Sequence, residues 1–246
     1  MARPSTDRSP LFYARVAGLG YLVIIVSGIF AEFFVRSGLI VPGNAAATAH
    51  NIVASELLFR TGLASEFLML TADVAVALAL YVVFEGVSRS LALLAAFFRL
   101  THAAVVGANL LTVYVPLLLL GDGGYLTAFD EGQRHALVLL LLQAHAYGYA
   151  VGLVFFGVYC AILGYLILAS RYVPRVLGVL LLVAAAGYLI DSLGRTLLSN
   201  YDDYGALFGM LVLLPAFVAE LSLALWLVVK GVDVDPVRRS PVGAEA

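Results

Sequence analysis

The chain has 246 residues, of which 63% are hydrophobic and only 12% are charged. Soluble domains carry about a quarter charged residues, so this composition indicates a protein that crosses a membrane several times. The net charge of −2 and the lack of a basic cluster argue against nucleic acid as a partner. A single cysteine, Cys160, excludes an intrachain disulfide and a cysteine-rich metal site.

Six apolar segments predict an all-α, polytopic transmembrane helical bundle embedded in the lipid bilayer, because each segment is long enough to cross the hydrocarbon core. Residues 1–10 are polar and precede the first span. Residues 231–246 are also polar, and we predict that they form a disordered tail. The predicted spans are residues 11–35, 61–84, 91–120, 144–168, 176–198 and 207–229.

Two connections have helical character of their own. Residues 45–60 predict a short helix in which Glu56 and Arg60 are four residues apart and can pair. Residues 134–143 predict an extramembrane or interfacial helical extension that runs into the fourth span. The first apolar segment is too long for a signal peptide and is predicted to be a retained span.

Basic residues in the connections predict the orientation, since cytoplasmic loops of membrane proteins are enriched in arginine and lysine. Only Arg36, Arg60 and Arg134 fall on one side of the predicted bundle. The other side is therefore predicted to be the cytoplasm, with both termini inside a bacterial cytoplasmic membrane. The basic residues on that side are Arg3, Arg8, Arg15, Arg89, Arg171, Arg175, Lys230, Arg238 and Arg239.

Polar side chains inside apolar spans are the candidate functional residues, because they are costly in the bilayer and usually face the bundle interior. The candidates for lining a cavity or binding a ligand are Glu32, Glu66, Asp73, Arg99, His102, Asn109, His145, Asp191, Arg195 and Glu220. Five acids oppose two arginines, so some acids are protonated, a histidine carries a proton, or a cation lies among them.

Three interpretations of these residues remain open. They form a structural network that fixes helix packing, or they line a polar cavity for protons or a small cationic molecule. The third is a metal site built from His145, Glu66, Asp191 or Glu32, or a haem held between His102 and His145. No HExxH or paired-histidine spacing supports zinc.

Arg99 needs a partner because a guanidinium stays charged in a protein. It lies about 15 Å from the inner end of its span at 1.5 Å per residue. That depth favours Glu220 on the sixth span as the partner, with Asp73 on the second span as the alternative. Asp191 and Arg195 share a helix face and are predicted to form a local ion pair.

Two features of the predicted spans concern packing. Ala144, Gly148 and Gly152 give the fourth span a face of small residues, which is typical of close helix packing. Pro116 and Pro215 are predicted to kink the third and sixth spans.

Several stretches together resemble the bacterial membrane-protein family called domain of unknown function 4386. The resemblance covers about residues 11–232, and it implies an integral membrane protein without carrying over an activity. The family pattern includes Arg60, Arg99, His145, Asp191 and Glu220, but it has an acid where this chain has Asn44. The stretches are AGLGYLVIIVSGIFAEFFVRSGLIVPGNAAATA (17–49), LLFRTGL (57–63), LALLAAFFRL (91–100), GLVFFGVYCAILGYLI (152–167), YVPRVLGVLL (172–181) and ELSLALWLVVKG (220–231).

The leading functional hypothesis is a small-molecule binding or transport protein with a polar intramembrane cavity that opens outward. A proton-coupled mechanism and a cation ligand both fit this hypothesis. The alternatives are a membrane-embedded, metal-dependent enzyme and a non-catalytic structural or regulatory protein. No cofactor is assigned from the sequence.

Overall fold

The computed structural model describes residues 9–233, and all regular elements in that range are helical. The all-α prediction is therefore confirmed. Most of the two polar ends, residues 1–8 and 234–246, lie outside the described residues, and the predicted disordered tail falls largely there.

Six helices are long and apolar enough to cross a membrane, as predicted. The protein is thus a multi-pass membrane protein. Spans 1 to 6 are Pro10–Leu39, Glu56–Phe84, Arg89–Leu119, Glu131–Ser170, Arg175–Leu197 and Leu207–Val229.

The spans alternate in direction, so the first described residue and the last lie on the same side of the bundle. We call this the terminal side and the opposite side the far side. Gly231, just after span 6, lies directly against the Leu11 side chain of span 1, since a Cβ atom there would be 2.2 Å from Leu11 Cδ1. Each span packs against its neighbours in the chain, and span 6 packs against span 1. The six spans therefore form a closed ring in sequence order.

Span 1 changes its helical form before it ends. Ser9 caps the helix and Pro10 occupies its first turn, where a missing N–H costs nothing. The α-helix runs over Pro10–Ile29, and a π-helical segment follows over Phe30–Arg36. Such segments are rare in proteins, and those that occur are often at functional sites. Span 1 thus extends beyond the predicted end at residue 35 and includes Arg36.

The connection between spans 1 and 2 differs in detail from its predicted form. A helix over Ala45–Ala54, which we call the loop helix, is capped by the Asn44 side chain at 3.0 Å from the Ala47 amide. Span 2 starts directly after it, at residue 56 rather than 61, and the Glu56–Arg60 pair lies within its first turns.

Span 4 is one continuous helix of 40 residues. It begins at a capping box in which Asp130 and Gln133 satisfy each other's backbone amides. It ends at Arg171, whose positive φ of 60° places it in the left-handed region. At 1.5 Å per residue the helix is about 60 Å long. The predicted extension over residues 134–143 is therefore continuous with the span.

Span 3 is interrupted once. Its α-helix ends at Asn109, Leu110 forms a turn, and a second helix covers Leu111–Leu119 with Pro116 inside. The interruption lies six residues before Pro116, whose missing donor would leave the carbonyl of Thr112 without its helical partner. Leu110 keeps right-handed helical dihedral angles, so the span continues in nearly the same course after Asn109, one of the candidate residues.

Two apolar cores fill the bundle. The terminal-side core draws on all six spans, with large buried residues such as Phe84, Leu163 and Leu223. The far-side core includes Val35, Phe59 and Leu142, and its described members come from spans 1 to 4 and the loop helix. Most of the polar candidate residues lie in the bundle interior, beside these two cores or between them.

Candidate functional site

A buried ion pair between Arg99 and Asp73 occupies the middle of the bundle. Arg99 Nη2 donates to Asp73 Oδ1 at 2.5 Å, and Arg99 has no exposed side-chain surface. The two residues lie 10 and 11 positions from the terminal-side ends of spans 3 and 2. This spacing corresponds to about 15–17 Å, half the thickness of the hydrocarbon core.

Aromatic rings enclose the Arg99 guanidinium. Its central carbon lies 4.7 Å from the ring centres of Tyr21 and Tyr159 and 5.4 Å from that of Phe156. These distances suit cation–π attraction, which is strongest where water is excluded. Arg99 Nη1 also donates to the Tyr21 hydroxyl at 3.0 Å, and the Tyr21 and Tyr159 hydroxyls are 2.5 Å apart. Spans 1, 2, 3 and 4 all contribute to this group.

Glu220 is not the ion-pair partner of Arg99, which corrects the sequence prediction. The Tyr188 hydroxyl donates to Glu220 Oε1 at 2.6 Å, and Asp73 takes the position beside Arg99. Depth was a poor guide to the partner, because both acids lie near the middle of their spans and the rotation of each helix decides which acid faces Arg99. Phe156 links the two groups, with its ring centre 5.3 Å from that of Tyr188. We call Tyr21, Asp73, Arg99, Tyr159, Tyr188 and Glu220 the central layer.

His102 lies one turn beyond Arg99 toward the far side. Its Nδ1 is 3.0 Å from the carbonyl oxygen of Gly152. A carbonyl only accepts, so Nδ1 carries the hydrogen. Gly152 allows this approach, because a Cβ there would lie 2.8 Å from Val106 and 3.3 Å from His102 Nδ1. The face of small residues on span 4 thus brings span 3 close, as predicted.

A second polar group, which we call the far-side layer, lies closer to the far side. Arg36 binds two acids: its Nε donates to Glu32 at 2.7 Å, and its Nη1 donates to Glu66 Oε1. The Glu66 side chain is 2% exposed, whereas that of Glu32 is 54% exposed. Glu66 is therefore the inner acid of the layer, and Glu32 lies at its rim. The far-side layer consists of Glu32, Arg36, Glu66, Asn109, Thr112 and His145.

His145 is held by span 3 within this layer. The Asn109 amide nitrogen donates to the His145 backbone carbonyl at 2.8 Å and lies 3.1 Å from His145 Nδ1. The Thr112 hydroxyl lies 3.3 Å from the same nitrogen. The amide nitrogen can only donate, so Nδ1 accepts and the ring hydrogen is on Nε2. Gly148 leaves room for the Asn109 side chain.

Two buried polar atoms of the far-side layer have no hydrogen-bond partner. They are Glu66 Oε2, an acceptor, and His145 Nε2, a donor in this tautomer. An unpaired buried polar atom costs about 1–3 kcal/mol. Both residues lie within electrostatic range of Arg36. The layer therefore offers one unused acceptor and one unused donor to a bound molecule.

Tyr149 connects the two layers. Its ring centre lies 6.2 Å from that of His145 and 6.4 Å from that of His102. His102 in turn packs on Phe156, with ring centres 4.8 Å apart. Polar and aromatic side chains thus run without interruption from the far-side layer to the central layer.

Asp191 and Arg195 form a separate group at the far end of span 5. Among the described residues they have no direct ion pair, which corrects the prediction; the Tyr201 hydroxyl donates to Asp191 and accepts from Arg195 at 3.2 Å. Burial and the Asp191 hydrogen bond raise the pKa of Tyr201, so the phenol stays protonated and remains a donor. The Arg195 guanidinium lies 4.4 Å from the Tyr201 ring centre. This group fixes the loop after span 5.

The metal and haem hypotheses gain no support. Within residues 9–233, no three His, Cys, Asp or Glu side chains are grouped closely enough to hold a metal ion. Glu66, His145 and Asp191 are therefore not brought together as a metal site. His102 and His145 both face Tyr149, and each uses Nδ1 in a hydrogen bond.

Sequence reasoning missed several members of the layers. Arg36 follows the last predicted residue of the first span, and the π-helical segment that brings it inside has no clear sequence signal. Tyr21 and Tyr159 are ordinary residues of apolar helices by sequence. One signal was available, since Tyr21 in span 1 and Tyr159 in span 4 lie at about the same estimated depth as Arg99 in span 3.

The family described as Domain of unknown function (DUF4386) matches residues 16–231. The chain belongs to this family. An uncharacterized protein of the archaeon Archaeoglobus fulgidus is 31% identical over 175 residues, which cover 71% of this chain and 86% of that protein. No solved structure matches the chain significantly. The sequence resemblance is thus confirmed.

Proposed function

We propose that this DUF4386 protein binds a small protonated amine in the far-side layer and acts as a binding or transport protein. The observation that carries the proposal is the pair of unpartnered buried atoms, Glu66 Oε2 and His145 Nε2. A protonated amine would donate to Glu66. An oxygen on the same molecule would accept from His145, so an amino alcohol carries one suitable group for each of the two atoms.

The charges of the layer favour a cation. Glu32 and Glu66 carry two negative charges and Arg36 one positive charge, so the layer has a net charge of −1 when His145 is neutral. In the central layer, Asp73 balances Arg99, and Glu220 is a second acid that accepts a hydrogen bond from Tyr188. Excess negative charge in a low-dielectric region attracts a cation or a proton. The Tyr149 ring between the layers adds a face for cation–π attraction.

The exposure of the far-side layer favours entry of a ligand from one side of the bundle only. Glu32 at the rim is 54% exposed, while the terminal half of the bundle is filled by the apolar core. This arrangement favours entry from the far side and a binding site that ends at the Arg99–Asp73 pair. Release to the other side, which transport requires, would need the central layer to rearrange.

We expect ethanolamine to raise the unfolding temperature of the purified protein in a saturable manner. Ligand present at a hundredfold excess over Kd stabilises by about 2.7 kcal/mol. The buried Cys160 is the only cysteine, so a thiol-reactive dye reports unfolding directly. Ethylamine, which lacks the oxygen, should stabilise less, and sodium chloride at equal ionic strength should not stabilise.

Glu66→Gln should abolish the ethanolamine effect, because it removes the charge and keeps the shape. Glu56→Gln is the matched control: Glu56 is on the same span and also pairs with an arginine, but it is on the surface. An equal shift in the Glu66→Gln protein, or no shift with any amine in the unmodified protein, would contradict the proposal.

We further propose that the terminal side faces the cytoplasm of a bacterial cytoplasmic membrane, so that the far side faces outward. The support is the distribution of basic residues in the connections. Of the described ones, Arg89, Arg171, Arg175 and Lys230 lie at terminal-side ends of spans.

Labelling of introduced cysteines tests this orientation in a Cys160→Ala background. Asp122→Cys, in the connection after span 3, should react with a membrane-impermeant maleimide added to intact cells. Ser88→Cys, at the start of span 3, should react only after the cells are opened. Labelling of Ser88→Cys in intact cells together with protection of Asp122→Cys would reverse the orientation.

A further inference from the structure

A groove of about 570 Å³ lies at the terminal-side end of the bundle, away from both polar layers. The tight connection between spans 4 and 5 forms one wall and span 6 forms the other. Its lining contains two arginines, Arg171 and Arg175, and one acid, Asp233. The remaining lining residues are Tyr172, Val173, Pro174 and Trp226.

The two arginines are available to a ligand. Both are exposed, and neither has an ion pair with the described part of the chain. Asp233 is held through its backbone amide, which donates to the Tyr172 carbonyl at 3.3 Å. With both arginines and Asp233 charged, the groove has a net charge of +1. This charge favours an anion over a cation or a neutral molecule.

The groove lies at the depth of lipid headgroups. Arg171 directly follows the end of span 4, Arg175 begins span 5, and Trp226 is three residues from the end of span 6. Tryptophan prefers this boundary because its ring is apolar and its N–H is polar. The neighbouring Val176 and Leu225 are exposed, 61% and 47%, and offer apolar surface beside the groove.

We infer that this groove binds the phosphate of an anionic lipid headgroup, such as that of phosphatidylglycerol. Arginine binds phosphate through two parallel hydrogen bonds, and basic pockets between transmembrane helices are suited to anionic headgroups. The acyl chains would lie along the exposed side chains of spans 5 and 6. Free inorganic phosphate has the same phosphate chemistry, but it would gain nothing from that apolar surface.

Trp226 makes the groove directly measurable, because it is the only tryptophan of the chain. The protein is placed in nanodiscs of dibrominated phosphatidylcholine, which quenches tryptophan fluorescence on contact. Unbrominated phosphatidylglycerol is then mixed in at increasing mole fraction. We expect it to restore fluorescence with a preference of about tenfold over unbrominated phosphatidylcholine.

The double variant Arg171→Asn, Arg175→Gln should lose this preference. Asparagine is chosen at Arg171 because it tolerates the left-handed backbone there. Arg89→Gln is the matched control. Arg89 is also an exposed arginine on the terminal side, at the start of span 3, but it lies outside the groove. This variant should keep the full preference.

Three outcomes would overturn the inference. Phosphatidylglycerol and phosphatidylcholine could restore fluorescence equally in the unmodified protein. The double variant could keep the preference. Inorganic phosphate added to the buffer could abolish the preference at millimolar concentration, which would assign the groove to free phosphate instead. None of these readouts depends on amine binding in the far-side layer.

Discussion

Replacing Arg99 with leucine should destabilise the protein by about 3–5 kcal/mol, since it leaves a buried acid without its partner. Asp73→Leu should have a loss of similar size, because it leaves the guanidinium uncompensated between two tyrosine rings. The double variant should cost less than the sum by about 2 kcal/mol, within the range measured for residues in direct contact. Thiol-dye unfolding at Cys160, with denaturant titration in detergent, measures each step.

Glu220 provides the matched comparison for this cycle. It is buried at a similar depth, but its hydrogen bond goes to Tyr188. The coupling of Arg99→Leu with Glu220→Leu should therefore be clearly smaller than that with Asp73→Leu. Equal coupling of both acids would mean that they share the charge of Arg99. Additive losses of Arg99→Leu and Asp73→Leu, within about 0.5 kcal/mol, would contradict the ion pair.

The second large effect is expected at Arg36. Arg36→Gln leaves the buried Glu66 without a cation, and we expect a loss of about 3 kcal/mol. Adding Glu66→Gln should recover much of that loss, because the uncompensated charge is then removed as well. Unfolding is measured at a pH well above the usual pKa range of carboxylic acids, so that Glu66→Gln removes a full negative charge.

Arg60 is the matched control for Arg36. It pairs with Glu56 at 2.6 Å on the same side of the bundle, but the two side chains are 52% and 53% exposed. Exposed pairs of this kind contribute about 0.3–0.5 kcal/mol, so Arg60→Gln should have little effect. Similar losses of stability for Arg36→Gln and Arg60→Gln would show that Glu66 is solvated, which would contradict a buried acid in the far-side layer.

The fold could be predicted almost completely because hydrophobic length is a local property. The six spans followed from composition. The Glu56–Arg60 pair and the helical extension of span 4 followed from sequence patterns along a single helix. The face of small residues on span 4 also predicted close packing, and Gly148 and Gly152 accept Asn109 and His102 there.

The candidate site was only half predictable because partners depend on rotation between helices. Depth favoured Glu220 over Asp73 as the partner of Arg99, and only the packing of spans 2 and 3 selects Asp73. The same reason explains Asp191 and Arg195, whose spacing suggested a pair although a loop tyrosine joins them. Arg36 was missed because a π-helical segment changes the register of span 1.

The ring order of the spans has a consequence for biogenesis. Spans 2 and 3 are joined by only a few residues, Glu85 to Ser88, and they carry the two members of the central ion pair. Because Asp73 precedes Arg99 in the chain, we expect the arginine to meet its counter-charge as its span inserts. Insertion as one hairpin would neutralise both residues at the translocon. Span 6 also packs on span 1, and we expect this contact to form only after span 6, the last span in the chain, has been inserted.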